Sequence, residues 1–597
     1  MTIHLLLALA FAASPVRAEP TLRERARAQE YSSLSGFSEA LRDPESGTRA
    51  EAAFALGQLG LVEIPEGSTE PPVAAMTRSA AADALASAVS DPDSAVRRAA
   101  VEALGKVGGA DAESFLLAAA TDADAGVRGA AALALFRMRF LKRVPQYSTA
   151  AVNRLTMLGA DPQADVRWRA AYAFTRFPDA RAAAALTALQ GDADARARLF
   201  AVRALGKLKT APDAARLGDA DVYVRAEAVA AFSAAKAWDK IPDAVFSDPS
   251  AHVRAAAADA AAESGDAARF SPLLEKILAE PGTLAPGRAL IALARLNSAN
   301  APALVEKSRL DSRWWIRSRA YEASAFLPGA ADLLREGAAD ADPRVASQAL
   351  ETLAASTAPI AGTLIARALL DPKAPLETLG TAVDAATERA GPEFLEGLTS
   401  AMGRAKGPGA AELREDIRKA LLAVATKNPA RAGEVAAALK KFPPFTDKPR
   451  RFRPLRIAPV VVFETDRGTF TIALASAEDA GVHVAAFVDG VKRHLYDGLI
   501  WHRVVTAFVI QGGDPRGSGW GDAGWRLADE INRIPFERGT VGMPKAGKDT
   551  GGCQLFVSLV PTPHLDGRYT AFGHVTRGLE VLDLLEPGDK ILHARLQ

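Results

Sequence analysis

Cysteine is almost absent from this sequence, which has 597 residues and a single thiol at Cys553. One thiol excludes an intramolecular disulfide and any metal site built on several thiolates. An excess of charge of one sign is also missing, because 72 lysines and arginines stand against 71 aspartates and glutamates. This balance argues against broad electrostatic binding to nucleic acid or to an acidic membrane. We therefore expect packing alone to hold the fold, with no nucleic-acid partner.

Long apolar runs are equally scarce. The first extends from Leu5 to Ala13, and Val16-Arg17-Ala18 follows it as a small-x-small cleavage pattern. This arrangement predicts a signal peptide over residues 1–18, although its positively charged start is weak and a buried N-terminal helix is the alternative. After residue 18 no apolar run reaches the roughly 20 residues needed to cross a bilayer. Together with the alanine- and arginine-rich composition, the signal predicts an exported protein of the bacterial periplasm, with no membrane span after signal removal.

One short pattern recurs along the first part of the chain: an acidic turn, then Val-Arg, then an amphipathic stretch rich in alanine and leucine. Clear copies begin at Asp91, Asp122, Asp161, Asp219 and Asp248. With a weaker copy at Asp192 included, successive copies start 27 to 39 residues apart. Self-similarity at this period indicates stacked helix pairs, because a single pair cannot bury its own apolar face. We expect an all-α solenoid over residues 25–440.

These units resemble short HEAT-like repeats. The resemblance implies that the arginine after each valine binds the acidic turn of a neighbouring unit and so forms a structural ladder. The arginines concerned are Arg97, Arg128, Arg167, Arg225 and Arg254. A basic ligand-binding stripe is the alternative, but each arginine comes with its own acidic partner, which favours the ladder. We expect the concave face of the solenoid to bind a protein partner, and Trp314 and Trp315 to be either core residues or an exposed anchor for that partner.

Residues 441–459 form the boundary that follows the solenoid. This stretch holds five prolines and six lysines or arginines, and proline both blocks helix continuation and stiffens an extended chain. We interpret it as a linker, either a solvated spacer or a strap against the solenoid. Beyond Pro459 the periodicity changes from helical to alternating. Two apolar runs, 460–465 and 469–474, flank Asp466-Arg467-Gly468, which predicts a β-hairpin.

Residues 460–597 carry a series of ordered motifs. They include YDGLIWHRVVTAFVIQGGD at 496–514, GWG at 519–521, GCQLF at 552–556 and LDGRYTAFG at 565–573. In this order they resemble the signature of cyclophilin-type peptidyl-prolyl cis/trans isomerases, and the match extends over 460–588 without a large gap. The resemblance implies a closed antiparallel β-barrel of eight strands with two capping helices.

The implied reaction is rotation about an X–Pro amide bond in a proline-containing polypeptide. Rotation disrupts amide conjugation and meets a barrier of about 18–20 kcal/mol, yet no covalent bond is broken. No nucleophile, metal or other cofactor is needed. A pocket that grips the proline ring, with a donor that favours the pyramidal imide nitrogen, stabilises the twisted state. Arg503 fits the donor role because its guanidinium is always charged and presents several N–H groups.

The same resemblance assigns the remaining site residues. The predicted catalytic residues are Arg503, Phe508, Gln511 and Phe556. The predicted substrate-binding residues are Val509, Pro544, Lys545, Ala546, Gln554, His564, Leu565 and Tyr569. The apolar members line a proline pocket, Gln511 orients Arg503 or binds a substrate carbonyl, and Gln554 with the 544–546 backbone holds the flanking peptide as an added extended segment. Many eukaryotic members carry Trp where His564 stands and His where Tyr569 stands, so we expect weak cyclosporin binding with isomerisation retained.

Two polar residues in these motifs have a structural interpretation. His502 has the chemistry of a general base, but the reaction offers it no proton to abstract, so we expect it to pack in the core. Cys553 is expected to be a small buried residue and not a nucleophile.

Two functions remain open from the sequence. The first is an exported isomerase that assists protein folding, with a solenoid that docks protein clients or an assembly partner. The second is a scaffold in which the solenoid carries the main function and the cyclophilin-like barrel only binds proline-containing segments. An intact Arg503 favours the first, because a pure binder need not keep it.

Overall fold

A computed structural model describes residues 21–29, 31–61, 72–405, 410–442 and 450–597. Helices extend to Lys441, and the first strand begins at Val460. The predicted signal peptide, residues 1–18, lies outside the described residues, as does part of the predicted linker, residues 443–449. Within the described ranges, no helix combines the length and the apolar character that crossing a membrane requires.

The N-terminal region is all-α. In chain order its helices are α1 (Leu22–Ala28), α2 (Leu34–Ala40), α3 (Ser46–Gln58), α4 (Pro72–Ala88), α5 (Ser94–Val107), α6 (Glu113–Ala119), α7 (Ala125–Phe140), α8 (Thr149–Leu158), α9 (Ala164–Arg176), α10 (Ala183–Leu189), α11 (Ala195–Lys207), α12 (Val222–Ala234), α13 (Ala251–Ser264), α14 (Ala267–Leu278), α15 (Leu284–Arg295), α16 (Ala301–Ser308), α17 (Trp314–Ser324), α18 (Ala330–Gly337), α19 (Pro343–Ala355), α20 (Ile360–Leu370), α21 (Leu376–Arg389), α22 (Leu395–Arg404), α23 (Ala410–Lys427) and α24 (Ala432–Lys441).

These helices form two stacked rows, as expected for a solenoid. The inner row is α3, α5, α7, α9, α11, α12, α13, α15, α17, α19, α21 and α23, and each of these helices packs on the next. Shorter helices such as α6, α8, α10, α16 and α18 cover the inner row on its other side. The buried positions of the inner row are mainly alanine, for example Ala100, Ala131 and Ala201, and small side chains let neighbouring helices approach closely.

Aspartates of the acidic turns explain where inner helices begin. Asp93, Asp124 and Asp221 each precede a helix and accept hydrogen bonds from its first free backbone N–H groups. Such a cap is worth about 1 kcal/mol, because it satisfies donors that the helix itself leaves unpaired. The valine that follows is fully buried, as Val96 and Val127 show. The repeated turn thus fixes both the start of the helix and the face that it buries.

The predicted arginine ladder is confirmed. Arg97 lies 2.8 Å from Asp122 of the next turn, and Arg128 lies 2.7 Å from Asp161. The series continues with Arg167–Asp192, Arg225–Asp248 and Arg254–Glu280. Each of these arginines also donates to a backbone carbonyl of its own turn, as Arg97 does to Asp91. The arginines therefore tie consecutive units together and do not form a free basic stripe.

The C-terminal domain is built on one antiparallel sheet. Its strands are β1 (Val460–Thr465), β2 (Gly468–Leu474), β3 (Trp501–Val505), β4 (Val509–Gly512), β5 (Thr540–Gly542), β6 (Leu555–Ser558), β7 (Ala571–Arg577) and β8 (Ile591–Leu596), with helices α25 (Ala477–Lys492) and α26 (Leu579–Leu582). The strand order is β3-β4-β6-β5-β7-β2-β1-β8. Phe463, Phe470 and Phe487 stack inside the curve of the sheet, and they form the centre of its core.

The predicted closed barrel is wrong, because the sheet is an open half-barrel. β3 and β8 are the two ends of the strand order, and no ladder pairs them among the described residues. An isolated bridge between Ile500 and Lys590 joins their neighbourhoods, together with four backbone hydrogen bonds between residues 498–501 and 588–591. These bonds reach only the first residue of each strand, Trp501 and Ile591, so β3 and β8 do not pair along their length. The second predicted capping helix, α26, is a single turn of four residues.

The inner row of the solenoid packs against the C-terminal domain. Polar contacts come from helices along almost its whole length. They include Arg23–Asp479 at 3.2 Å, Arg137–Asp566 at 2.9 Å, Tyr172–His564 at 2.8 Å, Tyr223–Asp583 at 2.6 Å, His252–Thr506 at 2.9 Å and Arg516–Glu377 at 2.9 Å. Apolar contact accompanies them, because the Trp520 ring lies directly on the backbone of α21 at Gly380. The two regions are in contact from α1 to α21.

The geometry of these contacts requires the solenoid to curve. Packed helices are about 8–10 Å apart, so a straight row from α3 to α21 would be roughly 80–100 Å long. A domain of this size has a radius of gyration of only about 14 Å. Both ends of the row nevertheless contact it, because Glu51 of α3 is 3.7 Å from Arg533 and Glu377 of α21 is 2.9 Å from Arg516. The inner row is therefore the concave face, and it wraps around the C-terminal domain.

This arrangement corrects the predicted partner on the concave face. Where α1 to α21 contact residues 479–586, the occupant is the chain's own C-terminal domain and not a separate protein. The sequence could not show this, because the contacting residues are up to 456 positions apart, as in Arg23–Asp479.

One contact joins the two regions at a helix end. Helix α15 has no cap from its own preceding residue, Thr283. Instead Glu586 of the C-terminal domain accepts hydrogen bonds from the backbone N–H of Thr283 at 2.6 Å and of Leu284 at 2.8 Å. A carboxylate at a helix N-terminus is stabilising, because it faces the positive end of the helix dipole.

The described part of the predicted linker lies on the C-terminal domain. Arg450 donates its backbone N–H to the Arg526 carbonyl at 2.8 Å. The Phe452 ring meets the Trp525 ring edge-on at 5.7 Å, and Pro454 lies close to the backbone of Gly481. Residues 450–454 are therefore a strap against the C-terminal domain, whereas the two predicted alternatives were a solvated spacer and a strap against the solenoid.

Candidate active site

The predicted site residues surround one cleft on the curved sheet, next to the solenoid. The cleft has a volume of about 370 Å3. Eleven of the twelve predicted residues line it: Arg503, Phe508, Val509, Gln511, Pro544, Lys545, Ala546, Gln554, Phe556, Leu565 and Tyr569. Local structure brings the first of these together, because β3 and β4 form a hairpin in which Arg503 lies opposite Gln511. The twelfth residue, His564, is not part of this lining.

The Arg503 guanidinium is free to bind a ligand. Across the described ranges it has neither a hydrogen-bond partner nor an ion-pair partner, and it lies 6.0 Å from the centre of the Phe508 ring. Partial burial in the cleft lowers the pKa of Arg503 from its ordinary value, and Tyr569 opposes that shift. A guanidinium stays charged at neutral pH even so. Its N–H donors therefore point into the cleft without competition from a protein acceptor.

The cleft has an apolar floor beside this arginine. Val509, Phe556 and Leu565 are buried in one small cluster with Phe536 and Ala571. Phe556 stacks on Phe536 with ring centres 5.4 Å apart, and it meets Tyr569 edge-on at 6.0 Å. Phe536 lies beneath the lining and fixes the Phe556 ring from below. A flat apolar ring of proline size fits such a floor.

Gln511 and Gln554 form a short chain of hydrogen bonds. Gln511 Nε2 donates to Gln554 Oε1 at 3.0 Å. Gln554 Nε2 in turn donates to the carbonyl of Gly519 at 2.8 Å and to that of Gly521 at 3.0 Å. The Gln554 amide thus has a partner at both ends within the protein, so its side chain positions Gln511 and the 519–521 loop. No hydrogen bond joins Gln511 to Arg503 in the described structure.

Lys545 is held at the edge of the cleft by a buried ion pair. Its ammonium lies 2.5 Å from Asp529 Oδ2 and 5.7 Å from the centre of the Tyr569 ring, and only 9% of its side chain is exposed. Burial raises the pKa of Asp529, whereas the charge of Lys545 opposes that rise. A role for the 544–546 backbone in holding the peptide stays a prediction.

His564 lies behind the cleft, between Phe508 and the solenoid. Its ring stacks on Phe508 at 5.5 Å and exchanges a hydrogen bond with the Tyr172 hydroxyl of α9 at 2.8 Å. Burial, together with the charge of Arg176 among others, lowers the pKa of His564 to about 3. The neutral imidazole therefore holds Phe508 against the solenoid, and its contact with substrate stays a prediction.

His502 and Cys553 occupy the positions expected of core residues. His502 is 7% exposed, and burial lowers its pKa to about 4, so the ring is neutral at pH 7. Cys553 is 2% exposed and directs its thiol at the Gly513 carbonyl. Burial raises the pKa of Cys553 to about 12, which leaves no thiolate to act as a nucleophile.

Nine lining residues were missed by the sequence interpretation, and four of them have large side chains. Trp520, Trp525 and Arg526 come from the C-terminal domain, and Glu412 comes from α23 of the solenoid. The GWG motif at 519–521 pointed to Trp520 without assigning it a place in the site. Nothing local marks Glu412, because its neighbours in the cleft lie about a hundred positions away in the chain. The solenoid therefore contributes a charged side chain to the site itself.

Chemically, the cleft joins a free cationic donor to an apolar floor of ring size. Neither His502 nor Cys553 lines the cleft, and the Cys553 thiol is not ionised at neutral pH. The arrangement suits stabilisation of a polarised conformation of a bound apolar group, in which a donor meets a developing lone pair.

Comparisons with known proteins agree with both regions. The family model for cyclophilin type peptidyl-prolyl cis-trans isomerases matches residues 460–594, and the model for HEAT repeats matches residues 34–135 and 152–217. A peptidyl-prolyl cis-trans isomerase of Synechococcus elongatus is 41% identical over 137 residues, which are 23% of this chain and 94% of that protein. One of Helicobacter pylori is 43% identical over 132 residues, 21% of this chain and 80% of that protein. A solved cyclophilin type isomerase of Cryptosporidium parvum is 26% identical and covers 24% of this chain and 98% of its own, with a TM-score of 0.23.

Proposed function

Because this chain belongs to the cyclophilin-type peptidyl-prolyl cis/trans isomerase family through its C-terminal domain, we propose that it isomerises X–Pro bonds in unfolded segments of exported proteins. In this proposal Arg503 is the catalytic donor and Phe508, Gln511 and Phe556 complete the catalytic set. The HEAT repeats that precede the domain supply a protein-interaction scaffold. Helping these proteins fold is the proposed role, since X–Pro isomerisation takes tens to hundreds of seconds without a catalyst.

The observation that carries the proposed mechanism is the unengaged guanidinium of Arg503 above an apolar floor. The floor, formed by Val509, Phe556 and Leu565, binds the proline ring and fixes one side of the amide. As the bond twists, the imide nitrogen loses conjugation and becomes pyramidal, and its lone pair accepts a hydrogen bond from Arg503. The planar amide nitrogen offers no such lone pair, so the interaction is strong only in the twisted state. That difference lowers the barrier.

Gln511 and Gln554 would position the rest of the substrate. Gln511 Nε2 donates to Gln554 at 3.0 Å, and this bond fixes the orientation of the Gln511 amide. The direction of its carbonyl oxygen and of its second N–H is fixed with it. The Gln511 side chain lies opposite Arg503 on the β3–β4 hairpin, so it can bind the peptide group next to the proline. This arrangement keeps the twisting bond aligned with the Arg503 donor.

The test is exchange between cis and trans Ala-Pro in a short peptide, followed by NMR. Arg503→Ala should lower kcat/KM roughly 100-fold, as loss of one preorganised charged donor does elsewhere, while peptide affinity changes only a few-fold. Arg335→Ala is the matched control, because Arg335 is an exposed arginine of α18. Full exchange activity in Arg503→Ala would overturn the mechanism. Wild-type protein that binds the peptide but does not accelerate exchange would instead support the scaffold alternative.

Export is proposed from the predicted signal over residues 1–18. Expression of the full sequence in a Gram-negative bacterium should release a mature protein that begins at Glu19 into the periplasmic extract. A matched chain that starts at residue 19 after an added methionine should stay with a cytoplasmic marker enzyme. Recovery of uncleaved protein in the cytoplasm would contradict the proposed location.

A further inference from the structure

A second and larger cavity lies between the solenoid and the C-terminal domain. Its volume is about 980 Å3, which is at the upper end of the range for ligand sites. The solenoid wall comes from α12, α13, α15 and α17, and the opposite wall is β3 and the turn after it, residues 503–506. Arg503 lines both this cavity and the active-site cleft. The two spaces therefore meet at the proposed catalytic donor.

The wall on the C-terminal side is a sheet edge. β3 is the first strand in the sheet order and pairs with β4 on one side. On its other side Trp501 exchanges backbone hydrogen bonds with Gly588 and Asp589, so the part without a neighbouring strand is residues 503–505. Its other edge, at Val504 and Val505, faces the cavity. An unpaired strand edge is a template for an added extended chain, because its backbone donors and acceptors are regularly spaced.

The cavity wall on the solenoid side is apolar in its middle, and the carboxylates around it are paired with arginines. Three carboxylates are engaged by arginines, in the pairs Glu227–Arg203, Asp259–Arg288 and Glu263–Arg295. Alanines of α12 and α13 leave the middle of the wall open, and two aromatic side chains project from its ends. These are Trp238, and Trp315 with the Arg319 guanidinium 4.6 Å above its ring. Such a wall accepts the mixed side chains of an unfolded polypeptide rather than one charged ligand.

We infer that this cavity, bounded by Ala230, Trp315 and the β3 edge, is a second substrate cleft that binds the extended chain flanking the isomerised proline. The inference rests on the proposed function, because the occupant is the continuation of the chain whose proline is held beside Arg503. It gives the concave face a role in addition to holding the C-terminal domain. It also answers the question about Trp315, which is half-buried and lines the path of the substrate.

The consequence is a preference for long substrates. A four-residue peptide fills the active-site cleft alone, whereas a longer chain also gains contacts along β3 and Trp315. We expect about a tenfold higher kcat/KM for the longer chain, which corresponds to about 1.4 kcal/mol of added binding in the transition state.

The experiment compares three peptides that share one Ala-Pro core in the full-length protein. One has four residues, and the other two carry ten additional residues of alternating Phe and Ser on the N-terminal or the C-terminal side. At least one extended peptide should react about ten times faster than the short one. Ala230→Trp should reduce this ratio to about one, because Ala230 is exposed on α12 and an indole there projects into the cavity and obstructs the extended chain. Trp315→Ala should also reduce this ratio, because the longer peptide loses its contact with the Trp315 ring.

The matched control is Ala184→Trp, at an exposed alanine on α10 away from the cavity. It should keep the wild-type ratio. Equal rates for all three peptides in the wild-type protein would overturn the inference, as would an unchanged ratio in Ala230→Trp. Either result leaves the proposed isomerase function intact, which fails only if the wild-type protein does not accelerate exchange in the short peptide.

Discussion

Glu412 shows how one solenoid side chain alters the active-site cleft. Burial, followed by the nearby carboxylate of Asp416, raises the pKa of Glu412 to about 7, and Asp384 adds to the rise. Arg526 and Lys419 act in the opposite direction. The residue is therefore close to half-protonated at neutral pH, so the charge of the cleft changes within the physiological range.

We predict that Glu412→Gln stabilises the protein more at pH 8 than at pH 5. A carboxyl whose pKa in the folded state is raised contributes stability that is complete below its ordinary pKa of 4.5 and is lost as pH rises through about 7. Glutamine cannot ionise and avoids that loss, so the variant should gain on the order of 1–2 kcal/mol at pH 8 relative to wild type. Thermal unfolding at the two pH values measures the difference. Glu415→Gln, at an exposed position of the same helix, should show no such pH dependence.

Much of the site was predictable at the level of residues because it lies in one continuous stretch with local motifs. Arg503 and Gln511 face each other across a hairpin whose two strands are separated by three residues. The contact of His564 with the Tyr172 hydroxyl was not predictable, because the two residues are 392 positions apart. Glu412 was missed for the same reason. Sequence motifs report local geometry, but they do not report which distant element covers a side chain.

At the scale of elements, the arginine ladder is the main device that joins repeats. Arg128 Nε lies 2.7 Å from Asp161, and its Nη1 donates to the carbonyls of Asp122 and Ala123. The Asp161 side chain is 6% exposed. A hydrogen-bonded charge pair with this little exposure contributes more than a surface ion pair does.

We predict that Arg128→Ala destabilises the solenoid by about 2–3 kcal/mol, because it leaves Asp161 buried without its partner. Arg335→Ala is the control, since that arginine is 56% exposed and should cost less than about 0.5 kcal/mol. Urea unfolding followed by circular dichroism compares the two. Equal stability of Arg128→Ala and Arg335→Ala would contradict a structural role for the ladder.

The repeats were predictable as elements because their turn, cap and buried valine all lie within seven residues. The shape of the sheet was not predictable, because closure depends on how far β3 and β8 pair along their length. The backbone hydrogen bonds between their neighbourhoods stop at Trp501 and Ile591, the first residue of each strand. A family resemblance gave the strands and their order of appearance, whereas the closed barrel inferred from it did not hold.

At the scale of the whole molecule, the solenoid surrounds the C-terminal domain. The solenoid contacts the C-terminal domain from Arg23 near its start to Glu377 of α21, and both clefts lie along this boundary. The sequence predicted both regions and the boundary between them, but not that one surrounds the other. That arrangement depends on pairs of residues that are hundreds of positions apart.

We predict that the two regions stay associated after the chain is cut between them. A specific protease site inserted between Thr446 and Asp447 allows cleavage without altering the contacts described above. At micromolar concentration the cut protein should elute from a size-exclusion column as one species, because several partly buried ion pairs span the boundary. The cut protein with Arg137→Ala and Glu586→Ala should separate more readily. Two separate peaks from the cut wild-type protein would contradict the prediction.

The carboxylate of Glu586 has a consequence for the order in which the chain matures. It caps α15, a helix that begins about three hundred residues earlier at Leu284. During synthesis α15 therefore has no cap at its N-terminus until Glu586, 302 residues after Leu284, has been made. Premature termination anywhere before Glu586 would leave that helix end without its cap. The N-terminus of α15 is thus completed only after most of the C-terminal domain has been synthesised.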